Sequence, residues 1–482
     1  MKNTEQGIRT ACSRESKDES IDSMKINGKG LFGPGQFYKS VLAIAVPIML
    51  QQLIQSLVSL VDNFMVAGLG DVCMSGVNVA GQVLFVFMVF INAICMSGGI
   101  FLTQYFGAGD PGGMQQAFRF KLAMGLAALV PYFLVCIAFP RQILSLMLIG
   151  NTQADPILDQ AVPYINIMFW IGIPMTLSVC IASSMRDLGD VNTPLIITVT
   201  ATLINTLFNW LLIYGNLGFP ALGVRGAAWA TVIARGVEFV IFAAVYVRKK
   251  PAFSIRPSDL CRINGRLFRE IFKSSLLVLF CEMVWVMSET VTTALYNGRG
   301  GADVVSGMAS SFAIANLYFV AFGGVYSATG VILGKTLGKG DLEKARREKT
   351  WLLSGSAMFG AAMTFFGLAT TLIVPVVFGR LSDSAVSICR SMVATMSLLM
   401  PAWVYMNTQQ AVARAGGDTK MGAYTDAGLT LFVMMPLVFL LAAYTDIGPV
   451  ALYCGVKLVD VIKLVVFHYW LKKERWLRNL TV

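Results

Sequence analysis

The sequence predicts an all-α integral membrane protein of about twelve transmembrane helices, arranged as two six-helix lobes related by pseudo-two-fold symmetry. Three observations carry this. The 482 residues are 56% hydrophobic and 13% charged, with 31 Phe and 25 Met, outside the habits of soluble domains. Apolar runs of about twenty residues, enough to cross a hydrocarbon core of roughly 30 Å as helix, recur from Val41 to Leu471. A glycine-rich tetrapeptide also occurs twice, as Gly107-Ala108-Gly109-Asp110 and Gly338-Lys339-Gly340-Asp341. Arg186-x-x-Gly189-Asp190 is answered in the same register by Arg414-x-x-Gly417-Asp418. Duplicated halves in so apolar a chain suggest two lobes around a cavity at mid-membrane depth, a layout many carriers use.

The apolar runs begin near residues 38, 74, 119, 161, 192, 222, 271, 304, 349, 387, 421 and 448, six in each half. Because six is even, both halves enter the bilayer from the same side. They are then parallel repeats, and the termini share a compartment. The expected organisation is a disordered cytoplasmic tail over 1–36, an N-lobe over 37–247, a cytoplasmic linker over 248–270, a C-lobe over 271–473 and a cytoplasmic tail over 474–482. Charge sets the orientation. The linker region holds Arg248, Lys249, Lys250, Arg256, Arg262, Arg266, Arg269 and Lys273 against Asp259 and Glu270, which places it in the cytoplasm by the positive-inside rule. Lys335, Lys339, Lys344, Arg346, Arg347 and Lys349 fall on that side too, whereas the opposite loops hold mainly Asp71, Asp155, Asp303 and Asp446. Topology thus accounts for the net charge of +11, and nucleic acid is not needed as a partner. The expected location is multi-pass in a cell inner or plasma membrane, with both termini cytoplasmic.

Several chemistries find no support. Residues 1–36 show no apolar core and no cleavage-site pattern, so they do not read as a signal peptide. The nine cysteines never form a CxxC, and the sole histidine is His468, so no disulfide framework, thiolate metal site or histidine triad is expected. Gly330-Val331-Ile332-Leu333-Gly334-Lys335-Thr336 resembles a phosphate-binding loop but has three residues between its glycines where that motif needs four. It also follows a long apolar helix where a strand is required. No cofactor is expected beyond a coupling ion, and the chain is not expected to be an enzyme.

Polar residues inside the spans carry the mechanism. In the first, Gln51, Gln55 and Asp62 lie close to one helical face, and Pro47 permits a bend. An intramembrane carboxylate normally faces a wet cavity or a partner, so Asp62 marks an ion pathway, or else a helix end at the outer interface. In the fifth, Asn205 and Asn209 share a face, and Thr231 lies in the next span. Their oxygens suit a hard cation, or equally serve as interhelical glue. In the seventh, Glu282 and Glu289 are seven residues apart, nearly superimposed down one face with Trp285 beside them. Charge and an aromatic face together suit an organic cation, a structural hydrogen-bond pair being the alternative. Lys457, Asp460 and Lys463 in the last span, and Arg235 with Glu238 in the sixth, read instead as local ion pairs that snorkel toward the cytoplasm.

Pro47 followed by Leu60-Val61-Asp62, Gly-x-Gly-Asp, Arg-x-x-Gly-Asp and Gly226-Ala227-Ala228-x-Ala230-Thr231, in that arrangement over residues 38–475, resembles the multidrug and toxic compound extrusion (MATE) family. The resemblance implies a V-shaped pair of lobes exporting organic, often cationic compounds in exchange for inward Na+ or H+. It implies an N-lobe cation site of Asp62, Asn205, Asn209 and Thr231. It also implies a substrate or second cation site that includes Glu282, joined by Gln55, Trp285 and Glu289. Two departures stand out. Asn209 replaces an acidic residue of some members, and the tenth-span stretch Pro401 to Asn407 lacks an Asp that some carry, so coupling through the N-lobe is expected. The expected partners are small organic molecules and membrane lipids, with the chain a monomer. The alternative is a flippase for a lipid-linked precursor, which should show a strongly basic cavity.

Overall fold

The computed structural model describes residues 30–148, 153–260, 262–378 and 381–482. Most of the tail expected over 1–36 therefore lies outside the described residues. Twelve long helices dominate: α1 Gly35–Ala67, α2 Asp71–Ala108, α3 Pro111–Ala138, α4 Ala154–Asp187, α5 Asn192–Tyr214, α6 Val224–Lys249, α7 Gly265–Asn297, α8 Ala302–Gly338, α9 Leu342–Thr370, α10 Asp383–Ala415, α11 Gly422–Tyr444 and α12 Pro449–Lys472. The first eleven are long and apolar enough to cross a membrane by length and composition. The twelfth, at 24 residues, is about 36 Å long and differs in carrying Lys457, Asp460 and Lys463 inside it. The largest difference from expectation is at α3, expected near 119 and observed from Pro111, because a polar first turn precedes its apolar run. Among the described residues there are no strands.

The duplicated tetrapeptide has a physical role at each position. Gly109 (φ 71°) and Gly340 (φ 79°) adopt left-handed backbone, which ends α2 and α8 where a side chain would be strained. The aspartate after each glycine then caps the next helix: Asp110 accepts from the Gly112 amide at 2.9 Å, and Asp341 from the Lys344 amide at 2.9 Å. The leading glycines do something else. A Cβ on Gly107 would overlap the carbonyl of Lys335 on α8, and one on Gly338 would overlap the carbonyl of Gln104 on α2. Each glycine thus faces the carbonyl three residues before its counterpart, so α2 and α8 cross backbone to backbone about a pseudo-two-fold axis. The near-match to a phosphate loop, Gly330 to Thr336, lies wholly within helical α8.

The same symmetry governs the other contacts between halves, with α1 packed on α8 and α7 on α2. Within the first half, Phe87, Phe118, Phe120 and Ile165 belong to a continuous core. Met308, Met392, Met396 and Tyr453 belong to its equivalent in the second. Lys121 is fully buried in the first half, bonding Asp187 at 2.5 Å and the hydroxyls of Ser183 and Ser184. The surface is studded with exposed Phe64, Leu134, Phe365 and Phe432, as an apolar solvent around the helices requires.

The residues after α12 fold back across the junction of the halves. Trp476 is fully buried, and its carbonyl lies so close to Gly416 that no larger residue fits there. Arg346 on α9 bonds both oxygens of Glu474 at 2.9 and 2.7 Å. Gln104 on α2 donates to the carbonyls of Ala415, at 2.7 Å, and Arg478, at 3.3 Å, and accepts from the Leu480 amide at 2.7 Å. Removing residues 476–482 should therefore destabilise the fold by about 2–4 kcal/mol, from the lost burial of one large aromatic and two to three hydrogen bonds. Thermal unfolding in detergent checks this, and an unchanged Tm refutes it. The Arg346 hydrogen bond also holds the Glu474 carboxyl below its ordinary value of 4.5. The contribution of this pair is present above that value and lost as pH falls through the lowered one.

Candidate functional site

Four of the residues singled out in the first half come together. Asp62 on α1 faces Asn205 and Asn209 on α5 and Thr231 on α6. The Asn209 amide donates to Asp62 Oδ1 at 2.9 Å. With the Asn205 amide turned so that its nitrogen faces the carboxylate, it donates to Asp62 Oδ2 at 2.8 Å while its oxygen faces the Thr231 amide at 3.2 Å. Each carboxylate oxygen thus has one amide donor. Asn209 Oδ1 is buried without a hydrogen-bond partner, an acceptor of the kind a hard cation would satisfy. A monovalent cation beside Asp62 would need these amides to rotate and present oxygen in place of nitrogen. The residues present fit that exchange. Asp62→Asn should keep the fold, since an amide can occupy the same hydrogen-bonded pocket, but should erase any rise in Tm with Na+ or with protonation. Parallel Tm series in Na+ and in pH on wild type and variant measure this; a retained Na+ response together with a pH profile identical to wild type refutes the site, since the Arg346–Glu474 pair contributes equally to both.

The second half holds a cavity of about 690 Å³. Glu282, Trp285 and Glu289 of α7 all line it, as their common helical face predicts, while Gln55 on α1 is not among its lining residues. Both glutamates have partners on facing helices, the alternative considered for them, while still lining the cavity: Arg414 of α10 lies 3.4 Å from Glu282, and Lys457 of α12 lies 3.0 Å from Glu289. One correction concerns charge. Lys457, Asp460 and Lys463 are not snorkelling surface charges. They line the cavity, with Asp460 6% and Lys463 5% exposed. Their three-residue spacing suggested partners within α12, but the stronger partners sit on facing helices. Lys463 bonds Asp426 of α11 at 2.9 Å, against 3.7 Å to its neighbour Asp460. Arg235 and Glu238 do pair within α6, at 2.6 Å, with Thr198 donating to Glu238.

Sequence reasoning missed Arg414, Asp426 and Trp403 as cavity residues. Arg414 was visible as the first residue of the duplicated Arg-x-x-Gly-Asp motif. Asp426 carried the general signal of a carboxylate inside a span. Asn407 and Gln410 of α10 reach the same cavity, and Gln410 donates to Asp426 at 3.2 Å. Two π-helical stretches, Gly422–Ala427 and Thr430–Met434, widen α11 around Asp426 and Thr430. Such stretches recur where a helix must aim side chains off its regular register. The carboxylates Glu282, Glu289 and Asp426 are 28–32% exposed, against 7–12% for Arg414, Lys457 and Lys463. These three acids therefore face the open space and the bases stand behind them, whereas the fourth acid, Asp460, is as buried as the bases. Four carboxylates against three bases leave a formal charge of −1.

One family model, MatE, matches this chain twice, over residues 47–211 and 277–440, one match in each half. The chain belongs to the MatE family. It is therefore a multi-pass membrane transporter of two six-helix lobes. Among its relatives, a "Probable multidrug resistance protein NorM" of Bradyrhizobium diazoefficiens is 26% identical over 440 residues, covering 87% of this chain and 89% of that one. Another of the same name from Rhodopseudomonas palustris is 27% identical over 442 residues, covering 89% and 90%. "Multidrug resistance protein MdtK" of Edwardsiella ictaluri is 26% identical over 330 residues, covering 66% and 69%. Solved MatE structures share the fold: a MATE protein in a bent conformation superposes with a TM-score of 0.81 at 18% identity, covering 92% of this chain and 96% of that one. A MOP superfamily transporter from Pyrococcus furiosus gives 0.80 at 18%, covering 93% and 98%.

Proposed function

We propose that this MatE transporter exports organic cations, in the manner of multidrug efflux, in exchange for inward H+ or Na+ bound at the Asp62 cluster. The observation that carries the substrate class is the arrangement of charge in the second-half cavity. Three of its four carboxylates are the accessible partners, its bases are recessed, and the formal balance is −1. A monovalent organic cation neutralises that charge. Trp285 and Trp403, with Met406 and Met434, supply apolar contact for varied scaffolds.

The Asp62 cluster supports coupling from the other half. It is a separate site with its own carboxylate, so ion and substrate need not share ligands. They are linked through the two arrangements of the halves, each ligand biasing that equilibrium by its differential affinity. A lipid-linked precursor with a phosphate head would require net positive charge, and four carboxylates against three bases weigh against it. The orientation that fits the lysine and arginine bias places both chain ends in the cytoplasm.

Efflux from proteoliposomes under an imposed pH gradient, and separately under a Na+ gradient, tests the coupling. One gradient should drive export in wild type and neither should in Asp62→Asn, whereas driven export in the variant would refute it. The recognition arm uses Glu282→Gln combined with Glu289→Gln, which changes the cavity from −1 to +1. A cationic dye should lose affinity by about tenfold or more while a matched neutral dye changes by less than about threefold. Equal losses would assign the glutamates to holding helices together.

A further inference from the structure

Lys463 sits in an environment built entirely of acceptors. Its Nζ lies 2.9 Å from Asp426 Oδ1, 2.8 Å from Thr430 Oγ1 and 3.7 Å from Asp460 Oδ1. The remaining oxygen of each carboxylate is already occupied by a neutral donor. Gln410 Nε2 serves Asp426 Oδ2 at 3.2 Å, and Trp403 Nε1 serves Asp460 Oδ2 at 2.9 Å. Thr430 spends its own proton on the Asp426 backbone carbonyl at 2.8 Å, so its oxygen can only accept from Lys463. The two π-helical stretches of α11 place Asp426 and Thr430 on the side that meets α12. Three oxygens, two of them from carboxylates, converge on one monovalent charge. This is the donor set of a small-cation site, with the cation supplied by the chain.

We propose that Lys463 is a tethered cation: its ammonium permanently fills an oxygen cage between α11 and α12 that, without the lysine, takes a free monovalent cation of primary-ammonium class. The cage follows from geometry alone. Two carboxylates left facing each other inside a membrane helix bundle are strongly unfavourable, so an emptied cage recruits a counter-charge. The tether has a consequence for the transport cycle, which rests on the antiport reading above. The second half's cage does not exchange its occupant, so the only coupling ion that loads and unloads is the one at Asp62. The substrate cation meets Glu282, Glu289 and the residual charge around Asp426 without competing against free ions for the cage.

The test replaces the tether by a diffusible copy of it. Lys463→Ala removes three methylenes and the ammonium, which together correspond to n-propylammonium. In the purified full-length variant, n-propylammonium chloride should raise Tm saturably, by about 2 °C or more at tenfold its Kd, with ionic strength balanced by N-methylglucamine chloride, whose cation is too bulky for the cage. Wild type and Lys463→Arg should show no such rise, because their cage is filled. Lys463→Ala combined with Asp426→Asn should show a rise weakened by about tenfold or more in apparent affinity, because the cage keeps only one of its two carboxylates, Asp460. Methylammonium, Na+ and K+ in the same assay rank the cage for size.

A propylammonium response of equal size in wild type, or none in Lys463→Ala, overturns the proposal. If Lys463→Ala is not recovered folded, Lys463→Met keeps the packing volume of the stem and vacates only the ammonium position, so it is read with ammonium chloride in place of n-propylammonium chloride. Recovery of Lys463→Ala only with propylammonium, or of Lys463→Met only with ammonium, also bears the proposal out. Failure of both with the amine present, while the added Asp426→Asn change restores folding, overturns it, since the cage would then reject any occupant but the lysine. This binding readout is independent of flux, so its failure and a failure of the antiport reading are distinguishable.

Discussion

The close approach of α2 and α8 is the constraint on which the remaining architecture depends. At Gly107 and Gly338 the two backbones meet with no room for a side chain, and each glycine abuts the carbonyl three residues before the other. Such a contact fixes the position and the mutual rotation of the helices at once, because neither can turn without driving a side chain into the partner's backbone. Everything that differs between the halves, the Asp62 cluster on one side and the charged cavity on the other, is carried by helices whose placement follows from this crossing. The following Gly and Asp residues then end one helix and start the next on both sides of the axis.

Much of this could be read from the chain. Helix number, the duplication and the common face of Glu282, Trp285 and Glu289 follow from periodicity, which is a local property. The meeting of Asp62 with Asn205, Asn209 and Thr231 was implied by family resemblance, and the geometry brings those side chains within hydrogen-bond distance. What sequence could not supply was the partner across a helix interface. Lys457, Asp460 and Lys463 satisfy every rule for ion pairs along one helix, yet the nearest carboxylates of the two lysines, Glu289 and Asp426, are on other helices. Spacing within a helix limits which pairs can form. Rotation of the helix against its neighbours decides which do, and that rotation is set by packing far from the charges.

The halves have kept one scaffold and diverged in electrostatics. Arg186 and Arg414 hold equivalent places in the repeat, and both line a small void of about 150 Å³ between the halves, with Tyr326. Arg414 has a carboxylate from another helix, Glu282, and belongs to the charged network of the larger cavity. In the first half the corresponding region is closed by Lys121, Asp187, Ser183 and Ser184, a compact buried cluster. One copy of the motif serves packing, and the other opens onto the larger, charged cavity. A duplicated fold can divide labour in this way because symmetry conserves backbone placement while leaving each side chain free to change.

The segment after α12 links two bodies that alternate access requires to move apart. Gln104 alone contributes three hydrogen bonds to it and to α10. At about 1 kcal/mol net for each, opening this end of the molecule is disfavoured by roughly 3 kcal/mol beyond what the helices themselves contribute, a bias of about a hundredfold in population. In the proposed antiport cycle the resting distribution between the two arrangements is therefore set partly by a short stretch that touches neither the Asp62 cluster nor the charged cavity. The affinity that either ligand displays is reduced by the fraction of molecules held in the wrong arrangement. A few hydrogen bonds at the chain's edge can thus set how strongly a distant cavity binds its ligand.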